Sequence, residues 1–340
     1  MKYNLLGRTG LLVSELCLGT MTFGGKGMFK VIGSQGQGIA DELVRKSIDA
    51  GINFIDTANV YSEGWSEEIT GQAIRNVGLN RHQLVLATKV RGTMGAGPNE
   101  KGLTRAHIMH QVEESLRRLN TDYIDLYQMH SYDPLTPIEE TVRTFDDLVR
   151  SGKVRYVGAS NVAAWQLMKA LSYAKHNNFE PFVSLQAYYT IAGRDLEREL
   201  IPLLNDQNVG LMVWSPLAGG FLSGKYKRNA TGEEGRRTAT FDFPPLNKDR
   251  AFDVLDVLTP MAAAKNATVA QLALAWLLHQ KAVTTVIIGA NKLEQLDDNL
   301  KATDIKFSTE ELSQLNEVSK LPMEYPGWMF ERTGYDRKKE

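Results

Sequence analysis

The segment Asn53-Phe54-Ile55-Asp56-Thr57-Ala58-Asn59-Val60-Tyr61 joins a short apolar run to two polar groups, Asp56 and Tyr61. An apolar run that ends at an aspartate, with turn-forming neighbours before the tyrosine, is typical of a β-strand that delivers polar side chains to its carboxyl end. The fold therefore depends on how many similar strands the chain contains and on where they end.

Eight apolar runs of strand length recur along the chain, and segments with helical spacing separate them. Runs such as Leu84-Val85-Leu86-Ala87 are apolar at consecutive positions, which indicates parallel strands covered on both faces by helices. Eight such units predict a (β/α)8 TIM barrel, formed as one domain over residues 1–340. The predicted strands are Leu16–Thr20, Ile52–Asp56, Leu84–Lys89, Tyr123–Met129, Val154–Ser160, Phe182–Gln186, Gly210–Trp214 and Thr285–Ile288.

Segments outside the barrel units predict three additional features. Residues 2–16 have the pattern of a β-hairpin with a turn at Gly7-Arg8-Thr9-Gly10. Ser308 is the expected N-cap of an extra C-terminal helix that runs to Lys320. The tail after it carries several aromatic residues, and we expect it to fold either over the pocket mouth or onto the barrel wall.

An open doubly wound sheet is the alternative architecture for alternating strands and helices. It would require a compact glycine-rich phosphate turn after the first strand. The glycines of Met21–Gly38 are spread too irregularly for that turn. We interpret this segment as a rim loop that shapes a pocket, and the alternative is a tolerated flexible insertion.

The composition excludes several functional classes. The formal net charge is −1, so neither nucleic acid nor an anionic membrane is an expected partner. Cys17 is the single cysteine, which excludes an intrachain disulfide and a cysteine-ligated metal cluster and suits a reducing, cytoplasmic location. We see no pattern of a signal peptide or of a membrane span. The oligomeric state leaves no signal in the sequence.

Polar side chains stand at the carboxyl ends of three consecutive predicted strands: Asp56 with Tyr61 beyond it, then Lys89, then His130. In a barrel these ends line the active face, so we expect the four groups to converge. Each has an ordinary alternative explanation, such as a turn aspartate, a solvated lysine or a hydrogen-bonded structural histidine. Their combination predicts a catalytic site.

The four groups have complementary acid–base chemistry. The Lys89 ammonium is expected to lower the pKa of Tyr61, and Asp56 to keep that ammonium charged. His130 can hydrogen-bond a carbonyl oxygen and share the charge that develops on it. Such a site protonates an oxygen, while a cofactor or a substrate must supply the hydride or nucleophile. The remaining histidines show no metal-ligand spacing, so no metal is expected.

These residues give the chain a resemblance to the aldo-keto reductases, which are NAD(P)H-dependent barrel enzymes. The resemblance rests on Gly51–Ala58 with Tyr61, on Thr88-Lys89 and on Asp125–His130. It implies that Asp56, Tyr61, Lys89 and His130 are the family's catalytic tetrad, and that the substrate is a small-molecule carbonyl compound or alcohol. Histidine at position 130, rather than glutamate, implies reduction of carbonyl groups rather than of carbon–carbon double bonds.

The resemblance also implies a nicotinamide cofactor: NADPH, with NADH possible because Asn291 and Gln295 are neutral and Lys292 is the nearest charge. Asn161 and its neighbours would bind the carboxamide, and Trp214 would stack on the nicotinamide ring. Later segments would bind the pyrophosphate and the adenosine. The implied contact residues are Thr20, Met21, Asp56, Ser160, Asn161, Gln186, Trp214, Ser215, Pro216, Leu217, Gly219, Lys225, Gly289, Asn291, Gln295, Asp298 and Asn299.

Two other functions compete with carbonyl reduction. Potassium-channel β-subunits keep this barrel and its tetrad, so a cofactor-binding regulatory subunit is an alternative. Barrel aldolases also place a lysine at a strand end, so Lys89 could form a Schiff base. An ammonium paired with Asp56 cannot attack a carbonyl, which argues against the second alternative.

Overall fold

The computed structural model describes residues 1–226, 228 and 243–333 of the 340-residue chain. Within them, two strands form an N-terminal hairpin and eight form a closed barrel. All eight predicted runs are strands, with ends that differ from the prediction by up to two residues. The strands are β1 (Tyr3–Leu5), β2 (Leu12–Ser14), β3 (Leu16–Gly19), β4 (Phe54–Asp56), β5 (Val85–Val90), β6 (Ile124–Met129), β7 (Val154–Ser160), β8 (Ser184–Tyr188), β9 (Gly210–Trp214) and β10 (Val283–Ile288).

The barrel strands are parallel and close in the order β10-β3-β4-β5-β6-β7-β8-β9. This order confirms the predicted (β/α)8 barrel and excludes the open sheet. The register pairs Asp56 with Ala87 and Lys89 with Gln128. Because all eight strands run in one direction, their carboxyl ends meet at a single rim.

Helices follow the barrel strands and cover the outside of the barrel. Side-chain caps begin two of the helices: Thr104 Oγ1 accepts from the His107 amide, and Ser308, the predicted N-cap, forms a capping box with Glu311. The α-helices of the described residues are α1 (Gln37–Asp49), α2 (Trp65–Val77), α3 (Arg105–Leu119), α4 (Ile138–Arg150), α5 (Ala164–Asn177), α6 (Leu200–Gln207), α7 (Lys248–Ala264), α8 (Val269–Leu278), α9 (Leu293–Leu300), α10 (Thr309–Val318) and α11 (Gly327–Thr333).

The hairpin β1–β2 closes the bottom of the barrel. Leu6 and Val13 are fully buried and pack in the barrel interior with Phe54 and Met212. Burial of a large apolar side chain stabilises the fold by roughly 1.5–3 kcal/mol. The interior is therefore apolar at its amino-terminal end, which leaves the carboxyl rim as the polar end.

The rim loop is held by hydrogen bonds at its base and by one buried side chain at its tip. Hydrogen bonds from Gly24 N to Gln35 O and from Gln35 N to Thr22 O close its base. Its tip contains a 3-10 helix, Gly27–Val31, whose Phe29 side chain is buried. The loop ends at Gly36, since α1 begins at Gln37, so the predicted end at Gly38 lies inside that helix.

The tail after α10 lies along the segment that follows β8. Arg198 contacts it twice, through the Glu324 carboxylate at 3.0 Å and the Pro322 carbonyl at 3.3 Å. The aromatic side chains there stay largely in solvent, with Tyr325 76% exposed and Phe330 64% exposed. Residues 334–340 of the predicted tail lie outside the described residues. None of the described helices combines the length and the apolar composition needed to cross a membrane.

Candidate active site

Asp56 and Lys89 form a buried ion pair at the carboxyl ends of β4 and β5. Lys89 Nζ lies 2.5 Å from Asp56 Oδ2 and 2.8 Å from the Thr57 carbonyl oxygen. Lys89 is fully buried and Asp56 is 2% exposed. Removing two charges from water is costly, and the short contact together with the further hydrogen bonds offsets that cost. The predicted pairing of Lys89 with Asp56 is confirmed.

Tyr61 places its hydroxyl beside the same ammonium. It begins the 3-10 segment Tyr61–Gly64, in which Ser62 and Glu63 have positive φ. Lys89 Nζ lies 3.3 Å from the Tyr61 hydroxyl oxygen. The Ser62 hydroxyl accepts from Gly25 N and donates to the Phe23 carbonyl, so the rim loop fixes this strained turn.

The acid–base properties of Tyr61 and Lys89 follow from their burial and mutual contact. Burial lowers the pKa of Lys89, but Asp56 and Tyr61 raise it by more, so the pKa lies above its ordinary value and the ammonium persists at neutral pH. Burial raises the pKa of Tyr61 by more than Lys89 lowers it. Lys89 thus lowers the pKa of Tyr61 as predicted, but burial, which the prediction did not include, leaves that pKa above its ordinary value. Tyr61 is therefore a protonated phenol at neutral pH.

His130 follows β6 and faces the tyrosine. The two rings are 5.7 Å apart between centroids, with an interplanar angle of 77°. Burial, followed by the nearby Lys89 and Arg91 cations, lowers the pKa of His130 to about 3. The imidazole is neutral at physiological pH, so it can donate a hydrogen bond to a carbonyl oxygen without carrying charge.

This lowered pKa predicts acid sensitivity of folding. The unfolded chain protonates histidine near pH 6.5 whereas folded His130 resists protonation to about pH 3, so stability decreases as the pH falls through that window. Between pH 7 and pH 5, the wild type should lose about 1–2 kcal/mol more unfolding free energy than His130→Gln. Urea unfolding of both proteins at the two pH values measures the difference. Equal losses would show that His130 ionises in the folded state as it does in the unfolded chain.

A layer of glutamine side chains surrounds Asp56, and sequence reasoning found only one of them. Gln128 Nε2 donates to Asp56 Oδ1 at 3.0 Å, and Gln186 Nε2 donates to the same oxygen at 2.9 Å. Gln128 was missed, although strand alternation was a usable signal, since it stands two residues before His130 on the same face of the strand. Gln186, the implied carboxamide contact, has its amide nitrogen bonded to Asp56.

The other implied carboxamide residues form a chain across the rim. Asn161 Nδ2 donates to the His130 carbonyl and to Ser160 Oγ, and Asn161 Oδ1 accepts from Trp214 Nε1, each at 3.0 Å. Ser160 Oγ donates to the Gln186 carbonyl at 2.8 Å. Asn161 thus joins the proposed carbonyl-binding histidine to the aromatic side chain expected to stack on the cofactor.

Trp214, at the end of β9, lies within an aromatic group. The Phe243 ring is nearly parallel to it, at 5.7 Å and 10°, and the Tyr188 ring is tilted against it at 5.2 Å. Such contacts restrict the orientation of the indole. Phe243 adjoins residues 229–242, which lie outside the described part of the chain.

The segment after Trp214, implied as the pyrophosphate strap, folds tightly on itself. Ser215 has φ 50°, and its Oγ accepts from Gly219 N at 3.1 Å. Gly219 has φ 66°, and an added Cβ would lie 2.8 Å from the Phe243 carbonyl oxygen, so only glycine fits there. Pro216 is buried, Leu217 is half-buried, and Lys225 is exposed beyond the strap.

The implied adenosine segment after β10 contacts the rim loop. Asn291 N donates to Gln295 Oε1 at 2.8 Å, and Asn291 Nδ2 donates to the Ile32 carbonyl at 3.4 Å. Asn299 Nδ2 donates to the Gly289 carbonyl at 3.4 Å. Asp298 accepts from Thr268 Oγ1 and Gln271 Nε2, so its carboxylate supports the start of α8.

Residues at the end of β3 complete the implied set. Thr20 N donates to the Asp56 carbonyl at 3.0 Å, and the Ser66 hydroxyl donates to the Thr20 carbonyl at 2.7 Å. Met21 packs beside Tyr61 in a small apolar cluster with Phe29, whose ring lies 5.4 Å from the tyrosine ring. The rim loop therefore packs against Tyr61, and sequence alone could not name Phe29 as the contacting residue. That the loop shapes a substrate pocket stays a prediction.

Comparisons with known proteins place the chain in a family. The sequence profile of the Aldo/keto reductase family matches residues 15–320. The chain is 40% identical to an uncharacterised oxidoreductase, YrpG, of Bacillus subtilis (strain 168), covering 94% of this chain and 96% of that protein. It is 38% identical to a probable voltage-gated potassium channel subunit beta of Arabidopsis thaliana (90% and 92% covered) and 33% identical to versiconal hemiacetal acetate reductase of Aspergillus parasiticus (96% and 99%). The chain belongs to the aldo/keto reductase family.

Proposed function

We propose that the protein is a nicotinamide-dependent oxidoreductase that reversibly reduces an aldehyde or ketone to an alcohol. The observation that carries the proposal is the position of Lys89 Nζ, 2.5 Å from Asp56 Oδ2 and 3.3 Å from the Tyr61 hydroxyl. This arrangement places a phenol that is protonated at neutral pH next to a permanent ammonium. It suits protonation of an oxygen that gains negative charge.

The residues at the rim fit a nicotinamide cofactor. Gln186 Oε1 accepts no hydrogen bond from any described residue, although the side chain is nearly buried, so an acceptor is left for a donor such as a carboxamide NH₂. Ser160 Oγ and Asn161 N donate to the backbone carbonyl of Gln186, and Asn161 Oδ1 accepts from Trp214 Nε1. When bound, the cofactor supplies the hydride. NADPH is the favoured form, with Lys292, next to Asn291 in the chain, as the candidate cation for a 2′-phosphate, and NADH is the alternative.

The side chains of this protein handle the proton and the carbonyl oxygen. Neutral His130 donates a hydrogen bond that orients the carbonyl and stabilises charge on its oxygen. The Tyr61 hydroxyl transfers its proton to that oxygen, and the Lys89 ammonium stabilises the phenolate left behind. Asp56 keeps the ammonium in place. In the oxidative direction the Tyr61 phenolate removes the alcohol proton. Lys89 is held as an ammonium, which argues against Schiff-base chemistry.

A binding and turnover experiment tests the proposal. NADPH or NADH added to purified protein should quench tryptophan emission, since Trp214 lies at the implied ring site. Aromatic aldehydes, sugars and ketosteroids are then tested for loss of the reduced-cofactor absorbance. Saturable quenching with turnover of at least one carbonyl compound is expected. The absence of binding by either nucleotide would reject the proposal.

A regulatory channel subunit is the second candidate, because the Arabidopsis thaliana relative is described as a probable voltage-gated potassium channel subunit beta. In this case nucleotide binding would remain, but turnover would be too slow to account for a metabolic role. Co-purification with a membrane channel would distinguish this function from carbonyl reduction. The expectation of a cytoplasmic protein with a single reduced thiol fits both candidates.

A further inference from the structure

Three side chains share hydrogen bonds around one carboxylate oxygen in the barrel interior. Asp56 Oδ1 accepts from Gln128 Nε2 and from Gln186 Nε2, and Gln186 Nε2 also donates to Gln128 Oε1 at 3.2 Å. Gln128 is fully buried, and its backbone is in register with Lys89 on the neighbouring strand. A buried glutamine is costly unless both ends of its amide are bonded, and here both ends are.

The Asp56 carboxylate orients the Gln128 amide, and Asp56 and Gln128 together orient the Gln186 amide. A carboxylate only accepts hydrogen bonds, so each glutamine must present its NH₂ group to Asp56. Gln128 Oε1 is then left facing Gln186 and takes the second hydrogen of the Gln186 NH₂ group. Rotation of the Gln186 amide by 180° would set its oxygen against two acceptor oxygens.

The orientation of the Gln186 amide determines which hydrogen-bonding group it offers to a ligand at the rim. With both hydrogens of Gln186 Nε2 bonded, only Gln186 Oε1 remains, and it accepts nothing from the described residues. The side chain therefore presents an acceptor and no donor to a bound ligand. Without Gln128 the Gln186 amide would lose one of the two contacts that set its orientation.

We propose that Gln128 is a positioning residue that fixes the Gln186 amide as a hydrogen-bond acceptor for the cofactor carboxamide NH₂ and supports the charged Asp56. The inference rests on the proposed nicotinamide-dependent function and extends it to a residue outside the tetrad. Gln128 acts through Gln186 and Asp56.

Two dinucleotides that differ at one group test the positioning role. The carboxamide NH₂ of the oxidised cofactor is replaced by a methyl group in its 3-acetylpyridine analogue. Tryptophan quenching gives the Kd of each, with no need for turnover. The wild type should bind the carboxamide form about five- to tenfold more tightly, the value of one hydrogen bond. In Gln128→Met the ratio of the two Kd values should fall to about two or less.

Gln128→Glu separates the two roles of the side chain. Its carboxyl group can still accept from Gln186 Nε2, so discrimination between the dinucleotides should persist. When that carboxyl ionises it repels Asp56, so kcat should decrease with rising pH more steeply than in the wild type. Gln111→Met is the matched control, because Gln111 is also buried and bonds Asn59 Nδ2 at 3.0 Å on the outer side of the barrel. It should leave the Kd ratio unchanged.

The outcomes distinguish failure of the Gln128 positioning role from failure of the proposed nicotinamide-dependent function. An unchanged Kd ratio in Gln128→Met, or equal binding of the two dinucleotides by the wild type, overturns the positioning role. Equal weakening of both dinucleotides in Gln128→Met would indicate a purely structural residue and overturns it as well. If Gln128→Met does not fold, Gln128→Glu decides the question. Loss of discrimination between the two dinucleotides in Gln128→Glu would overturn the positioning role. Failure of the wild type to bind any nicotinamide dinucleotide would instead reject the proposed function.

Discussion

Tyr61→Phe is expected to lower kcat for carbonyl reduction by about 10²–10⁴-fold, the usual contribution of a positioned general acid. The change removes the hydroxyl that lies 3.3 Å from Lys89 Nζ. The ring remains, so its edge contacts with Phe29 and His130 are preserved. The Kd for the dinucleotide should change by less than about twofold, because the phenol oxygen contributes to proton transfer rather than to cofactor binding.

Steady-state kinetics and fluorescence titration on the same preparation measure the two effects. Tyr127→Phe is the matched control: Tyr127 is fully buried on β6, and its hydroxyl has no hydrogen-bond partner among the described residues. Losing that hydroxyl should leave kcat within about twofold of wild type and should not destabilise the fold. Wild-type turnover by Tyr61→Phe would remove Tyr61 from the general-acid role.

Lys89→Met is expected to have the largest effect on stability, a loss of about 3–5 kcal/mol, together with loss of turnover. Methionine fills much of the lysine volume but leaves the Asp56 carboxylate buried without its cation. The two glutamine donors remain and moderate the cost. Lys46→Met is the control, because Lys46 pairs with Asp297 at the surface and should contribute at most about 1 kcal/mol.

The double variant Asp56→Asn with Lys89→Met separates charge burial from catalysis. The amide oxygen of the introduced asparagine can still accept from the glutamines, and no unpaired charge is left, so most of the lost stability should return. Turnover should not return, because no ammonium would remain to stabilise the Tyr61 phenolate. Urea unfolding and initial rates test the two parts. A double variant as unstable as Lys89→Met would show that the destabilisation comes from lost packing rather than from the uncompensated charge.

The pH dependence of turnover should come from groups other than His130. Its pKa of about 3 means that the imidazole does not titrate near neutral pH, so ionisation of His130 is not expected to shape the rate profile there. The raised pKa values of Tyr61 and Lys89 place their ionisations on the alkaline side. Loss of carbonyl reduction with rising pH should therefore reflect Tyr61 and Lys89 as a coupled pair.

The local sequence determined the strands, the start of the helix after Ser308 and which polar groups reach the rim. A strand is read from a few consecutive apolar residues, and a cap from a residue and its neighbour three positions on, so the runs that end at Asp56, Lys89 and His130 and the cap at Ser308 were predictable. In a parallel barrel, strand ends share a rim, and this rule brought the four tetrad residues together without coordinates.

Only the tertiary structure decided the surroundings of the tetrad. The bonds of Asp56 to Gln128 and Gln186 span 72 and 130 residues, and the contact of Phe29 with Tyr61 depends on how the rim loop closes. The raised pKa of Tyr61 is also a tertiary property, because the balance between burial and the Lys89 charge depends on how completely water is excluded. Sequence pattern specifies which groups reach the rim, whereas packing across the barrel sets their partners, orientations and ionisation.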